Sequence, residues 1–235
     1  MRKWGNSVTT EGFKRKLTAI LSADIKGYSR LMGEDEEATV RTLTGRQELV
    51  ATVVQKHHGR VVDSPGDNVL AEFASVLDAV RSAVEIQEEV KARNAELPES
   101  RRMEFRIGIN LGDVIVEGAR IYGDGVNVAA RLESLAEGGG ICISGTVHDH
   151  VESKLALDYQ FLGEHTVKNI AKPVRVYRVL MEPVAAARRQ QEERAARRTW
   201  QMTVLAASLV LFMIAASVLV WLRYLRPSPP PARVA

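Results

Sequence analysis

Arg60-Val61-Val62-Asp63-Ser64-Pro65-Gly66-Asp67-Asn68-Val69-Leu70-Ala71-Glu72-Phe73 contains two extended runs, Arg60 to Val62 and Val69 to Phe73, separated by turn residues. β-Compatible runs broken by Pro-Gly predict a hairpin, which sets neighbouring strands antiparallel and puts Asp67 at the tip. Upstream, Leu17-Thr18-Ala19-Ile20-Leu21 reads as a buried strand closed by Asp24 and Gly27. A helical pattern follows from about Tyr28 to His57, with Leu31, Val40, Leu43, Leu49, Val50 and Val53 as its apolar stripe. Downstream, Ala79 to Val90 is amphipathic and ends in a polar loop holding Pro98. Phe105 to Leu111 is a strand expected to turn at Gly112-Asp113 into Val114-Ile115-Val116. Beyond Gly138-Gly139-Gly140, Ile141 to Ser144 and Val174 to Val179 read as further strands. This order predicts an α+β fold, an antiparallel-rich sheet with helices on one face, rather than a doubly wound parallel sheet.

Asp24 stands at a strand end and Asp67 on a hairpin tip, positions well suited to face a ligand. Mg²⁺ takes carboxylate and phosphate oxygens and keeps several waters, so two aspartates completed by substrate phosphates form an expected site. Two such ions can polarise a reacting phosphate and activate a hydroxyl. Taken singly, each is better read as structural, Asp24 as the cap of the helix near Tyr28 and Asp67 as an ordinary turn residue. In Val126-Asn127-Val128-Ala129-Ala130-Arg131-Leu132-Glu133 the apolar spacing is helical, so Asn127 and Arg131 share one face. An arginine fork matches phosphate oxygens bidentately, whereas on an ordinary surface it forms only a weak ion pair. Gly123-Asp124-Gly125 offers backbone donors to phosphate or simply makes a tight turn. The glycines form neither a Walker A loop nor a dinucleotide fingerprint.

In this order, Ser22-Ala23-Asp24-Ile25-Lys26-Gly27-Tyr28-Ser29, Gly66-Asp67, Ile121-Tyr122-Gly123-Asp124-Gly125-Val126-Asn127-Val128-Ala129-Ala130-Arg131-Leu132-Glu133 and Lys168-Asn169-Ile170 resemble the catalytic domain of class III adenylate and guanylate cyclases, from about Lys14 to Leu180. The resemblance implies a ferredoxin-like sheet and a metal set of Asp24, Ile25 and Asp67 for two Mg²⁺ or Mn²⁺ ions per site. It also implies that Asn127 orients the ribose, that Arg131 stabilises the transition state, and that both come from the partner subunit of a homodimer. The implied reaction is attack of the ribose 3′-hydroxyl of ATP on the α-phosphate, giving 3′,5′-cyclic AMP and pyrophosphate. Lys168 or Lys172 is the candidate contact to the terminal phosphates; either also reads as a solvated lysine.

Adenylate cyclases of the better-known type carry Lys four residues before the second metal aspartate, paired with Asp or Thr three residues before the glycine that precedes the Asn motif. Asp63 and Arg120 occupy those positions here. An ionised Asp only accepts hydrogen bonds and an Arg only donates them, so the familiar pair is reversed. Asp63 suits the exocyclic amine of adenine and Arg120 its ring nitrogen, yet the same pair suits the edge of guanine. GTP is therefore the alternative substrate, and solvent exposure of both residues a third reading. A non-catalytic cyclase-like regulatory domain is the rival from another class, though Asp24, Asp67, Asn127 and Arg131 are all present.

The 235 residues suit a leader at 1–13, a catalytic domain at 14–180, a basic juxtamembrane linker or stalk at 181–201, a membrane helix at 202–222 and a Pro-rich tail at 223–235. Residues 1–180 hold 24 Lys and Arg against 26 Asp and Glu, and residues 181–235 hold 8 against 3, so the net +3 belongs to the tail. A catalytic domain of −2 without a basic stripe argues against a nucleic-acid partner. Thr203 to Leu222 carries no charge and is long enough to cross a hydrocarbon core of about 30 Å, with Trp200 and Trp221 near its ends. Five arginines from Arg188 to Arg198 precede it and three follow. That bias predicts a single-pass protein of a bacterial inner membrane with its catalytic domain in the cytoplasm. Cys142, alone and set in Ile141-Cys142-Ile143, predicts a buried thiol and no intrachain disulfide.

Overall fold

Strand β1 (Lys14–Ile25) is the axis of the sheet, because it pairs along its length with β4 (Phe105–Glu117) and over its second half with β3 (Val69–Phe73). The computed structural model describes residues 14–166, 172–181 and 216–220. The remaining elements, in chain order, are α1 (Tyr28–Glu34), α2 (Glu36–Lys56), β2 (Arg60–Asp63), α3 (Val76–Ala95), β5 (Arg120–Tyr122), α4 (Asp124–Leu135), β6 (Ile141–Ser144), α5 (Gly145–Val151), β7 (Asp158–His165) and β8 (Val174–Leu180). The sheet runs β2-β3-β1-β4-β6-β8-β7, with β5 folded back on β4. Every pairing is antiparallel except β4 with β6. The antiparallel-rich α+β reading therefore stands.

Side chains alternate across a strand, so β1 feeds two cores. Ala19, Leu21, Ala23 and Ile25 pack against buried residues of α1, α2, α3 and α5, among them Leu31, Val50, Ile86 and Val147. Ile20 points the other way and packs with Val114, Ile121 and Ala129, while Val128 and Leu132 of α4, with Ala136 just beyond it, pack on Cys142 and Val176. The expectation of helices on one face is thus corrected: α4 covers the opposite face, because its apolar stripe has its own strand surface to bury. Cys142 is fully buried, and burial pushes its thiol up to about 11.

Two further boundaries differ from the sequence reading. The single helix expected from Tyr28 to His57 is broken at Asp35, whose extended backbone ends α1 and whose carboxylate accepts from Ala38 N–H at 3.0 Å to cap α2. Val40, assigned to the apolar stripe, is 44% exposed, whereas Leu31, Leu43, Leu49, Val50 and Val53 are buried. The turn expected at Gly112-Asp113 does not exist, since β4 passes straight through it in register with β1. The reversal comes at Gly118, whose φ of 58° begins the two-residue loop into β5. Gly112 serves close packing instead: a Cβ there would meet the Gly125 Cα of α4 at 3.0 Å. Helix α5 and strand β7 complete the sheet edge and were not expected.

The chain divides into two units, residues 1–181 and 182–235. Of the second unit, only 216–220 are described, and they are helical and exposed. The expected leader, the linker beyond Met181, the tail and most of the 202–222 span lie outside the described residues. Among the described residues no helix is long and apolar enough to cross a membrane.

A Cβ on Gly108 of β4 would lie 2.2 Å from both Ala129 O and Glu133 N, backbone atoms of α4. Gly108→Ala should therefore destabilise the domain by about 1–3 kcal/mol or more, because neither backbone can yield cheaply. Gly45, exposed within α2 with nothing near it, provides the contrast: Gly45→Ala should stabilise by about 0.5–1 kcal/mol. Urea denaturation of the two variants beside the parent checks both signs.

Candidate active site

Asp24 lies near the end of β1 on the face that α4 covers, directly opposite Arg106 of β4 in the strand register. Cross-strand neighbours in antiparallel sheets are within side-chain reach, and here they form a forked pair. Arg106 Nε donates to Asp24 Oδ1 at 2.8 Å, and Nη2 donates to Oδ2. Asp24 is therefore not the cap of α1, whose N-terminal position belongs to Gly27 in a left-handed conformation. Asp67 occupies the turn between β2 and β3, after Gly66 at φ 60°. That turn is braced from α2: Gln47 Nε2 donates to Gly66 O at 2.6 Å and to Ser64 Oγ at 3.1 Å.

Glu133, near the end of α4, joins these segments. Its Oε2 accepts from Ser22 Oγ at 2.6 Å and from Asn68 Nδ2 at 3.2 Å, and the residue is 6% exposed. Burial is the main reason its carboxyl is pushed up to about 7; the Ser22 hydroxyl opposes this and Asp24 reinforces it. The hydrogen bonds to Asp24 hold the Arg106 guanidinium above its ordinary value, against the effect of burial and with help from the charges of Asp24, Glu133 and Asp67. One cation thus faces three carboxyl groups.

Asn127 and Arg131 lie on the exposed side of α4, away from buried Val128, Ala129 and Leu132. Neither side chain has a hydrogen-bond or ion-pair partner among the described residues. Asp63 and Arg120 are brought together at the surface, Arg120 Nε lying 3.9 Å from Asp63 Oδ2, while Ser64 N–H donates to Asp63 Oδ1 at 3.0 Å. A register shift in β2 between Val61 and Asp63 re-aims the latter. Lys172 is exposed just ahead of β8, a strand separated from β1 by β4 and β6, and Lys168 lies outside the described residues.

The two aspartates offer the oxygen ligands that Mg²⁺ accepts beside phosphate, and the Ile25 backbone follows Asp24 directly. Among the described residues no group of three or more His, Cys, Asp or Glu could hold an ion. The set therefore fits an ion shared with substrate phosphates, provided that Asp24 frees an oxygen from Arg106.

Arg106 carries no signal in the sequence, and Ser22, Asn68 and Glu133 lie within the motif segments without a role that local pattern assigns. Their roles depend on strand register and on α4 crossing the sheet, which no local spacing encodes.

Residues 14–181 match the family model described as the adenylate and guanylate cyclase catalytic domain. A protein of Rhizobium meliloti (strain 1021) named "Putative adenylate cyclase 3" is 46% identical over 168 residues, covering 71% of this chain and 29% of that protein. The chain thus spans under a third of that relative. The crystal structure of an adenylate/guanylate cyclase/hydrolase from Silicibacter pomeroyi is 40% identical with a TM-score of 0.67, covering 72% of this chain and 99% of that one. That of the guanylyl cyclase Cya2 is 26% identical with a TM-score of 0.62, covering 72% and 93%.

Because the Glu133 carboxyl is raised above its ordinary 4.5, the folded state favours the protonated form. Its ionisation should weaken the fold progressively from about pH 4.5 to about pH 7, with the full penalty above that. Glu133→Gln removes this titration. Its stability relative to the parent should rise across that window and level off above it, as read by urea denaturation at several pH values.

Proposed function

The chain belongs to the family of adenylate and guanylate cyclase catalytic domains, and on that premise we propose that it converts ATP to 3′,5′-cyclic AMP and pyrophosphate at sites shared across a homodimer. The observation that carries this reading is the convergence of the Asp24 and Asp67 segments on Arg106, beside a helix whose Asn127 and Arg131 are exposed and unpartnered. A helix face that offers an amide and a guanidinium to no other described residue of its own chain suits a site completed by a second copy.

In the proposed reaction the ribose 3′-oxygen forms a bond to the α-phosphorus, the bond from that phosphorus to the pyrophosphate oxygen breaks, and the hydroxyl proton passes through water to the departing pyrophosphate or the solvent. Asp24, Ile25 and Asp67 would hold two Mg²⁺ or Mn²⁺ ions. When bound, such ions neutralise phosphate charge and make the hydroxyl easier to deprotonate. Asn127 of one subunit orients the ribose, so that attack is intramolecular and already aligned. Arg131 donates to the oxygens on which negative charge gathers. Asp63 and Arg120 read the base. ATP is preferred because the 46%-identical relative is named an adenylate cyclase, and GTP is the second reading because the Asp63–Arg120 pair also complements guanine.

The reading extends to a single-pass anchor in a bacterial inner membrane with the catalytic domain on the cytoplasmic side. It is supported by the uncharged stretch from Thr203 to Leu222 and the arginines before it.

Turnover of Mn²⁺-ATP and Mn²⁺-GTP measured side by side tests the substrate; faster GTP turnover reverses the preference. Arg131→Ala should lower kcat by about 10²–10³-fold. Mixing inactive Asp67→Ala with Arg131→Ala protein should restore one working site per mixed dimer. Persistent inactivity after confirmed mixing would rule out shared sites.

A further inference from the structure

We propose that Glu133 is a positioning residue that ties the two metal-holding segments to the helix bearing Asn127 and Arg131. This rests on the shared-site reading above. Oxygen Oε2 of Glu133 accepts from Ser22, two residues before Asp24 on the same strand face, and from Asn68, the residue after Asp67. Those donors are 111 and 65 residues away in sequence, so the contact is a tertiary junction rather than a local cap. With two donors on one oxygen, the carboxylate fixes the spacing of β1 and the hairpin turn. Helix α4 is itself fixed, because its backbone at Ala129 and Glu133 lies directly over Gly108.

Arg131 precedes Glu133 by two residues on the same helix, and Asn127 lies one turn earlier. Within one subunit, Asp24 and Asp67 serve one active site, whereas Asn127 and Arg131 serve the other. Glu133 sits on the helix of the second pair, and its side chain bonds to the segments that carry the first.

The first test is Mn²⁺ binding to the dimer together with 3′-deoxy-ATP, which supplies the phosphates and cannot cyclise, read by electron paramagnetic resonance of the free ion against a protein-free control at the same nucleotide concentration, with circular dichroism as the folding control. Glu133→Ala should weaken binding about tenfold, while Glu133→Gln, whose amide oxygen still accepts both donors, should stay within about twofold of the parent. The double variant Ser22→Ala/Asn68→Ala removes the donors and leaves α4 unaltered; it should match Glu133→Ala and decides the matter if that variant does not fold. Equal loss in the Gln and Ala variants would show that Glu133 acts through its charge, and parental binding in the double variant would show no junction; either overturns the proposal. A parent that binds no Mn²⁺ overturns the metal reading itself, and the junction with it.

The second test uses mixed dimers of Asp67→Ala and Arg131→Ala proteins. Glu133→Ala added to the Asp67→Ala partner, whose α4 serves the working site, should lower kcat and leave the Mn²⁺ requirement unchanged. Added to the Arg131→Ala partner, it should raise the Mn²⁺ concentration needed for half-maximal rate. Identical effects from both placements overturn this two-sided positioning role.

Discussion

The close approach of α4 to β4 is the contact from which the rest of the site follows. Helix and strand meet backbone to backbone at Gly108 and Gly112, where no Cβ intervenes, and Asn110 Nδ2 donates to Gly125 O at 3.1 Å to fix their height. A larger residue at either glycine would lift the helix by the thickness of a side chain. Glu133 would then lose Ser22 and Asn68, while Asn127 and Arg131 would change their angle to the sheet. Glycine here is a packing requirement rather than a turn signal.

Burial and charge set the second constraint. Asp24, Asp67 and Glu133 crowd a region in which Arg106 is the shared cation, and the protein manages this in two ways. Arg106 locks Asp24 with a fork, and burial keeps Glu133 partly protonated near neutral pH. A half-buried carboxylate without that fork would be an uncompensated charge, which is far more costly than an exposed one. The same fork holds Asp24 in one orientation.

The hairpin tip at Asp67, the strand end at Asp24 and the shared helical face of Asn127 and Arg131 were legible because each depends on local periodicity and turn chemistry. The break at Asp35 was legible in principle: an Asp followed by Glu36 and Glu37 is an N-terminal helix signal, hidden by the continuous apolar stripe around it. Gly112-Asp113 misled because Gly-Asp has the same spelling in a turn and under a packed helix. Arg106 was not legible at all, since its partner is chosen by the β1–β4 register, and α4 could not be assigned a face before the sheet existed.

The same long-range pairing has a kinetic side. Arg106 lies 82 residues from Asp24, and Glu133 lies 111 residues from Ser22. Contacts that close such long loops form slowly and late, because chain entropy is lost before they repay it. A chain emerging from the ribosome has made both aspartates well before the residues that hold them. The junction is therefore made only once α4 has docked, and a chain cut short before that helix carries two carboxylates with no Glu133 between them.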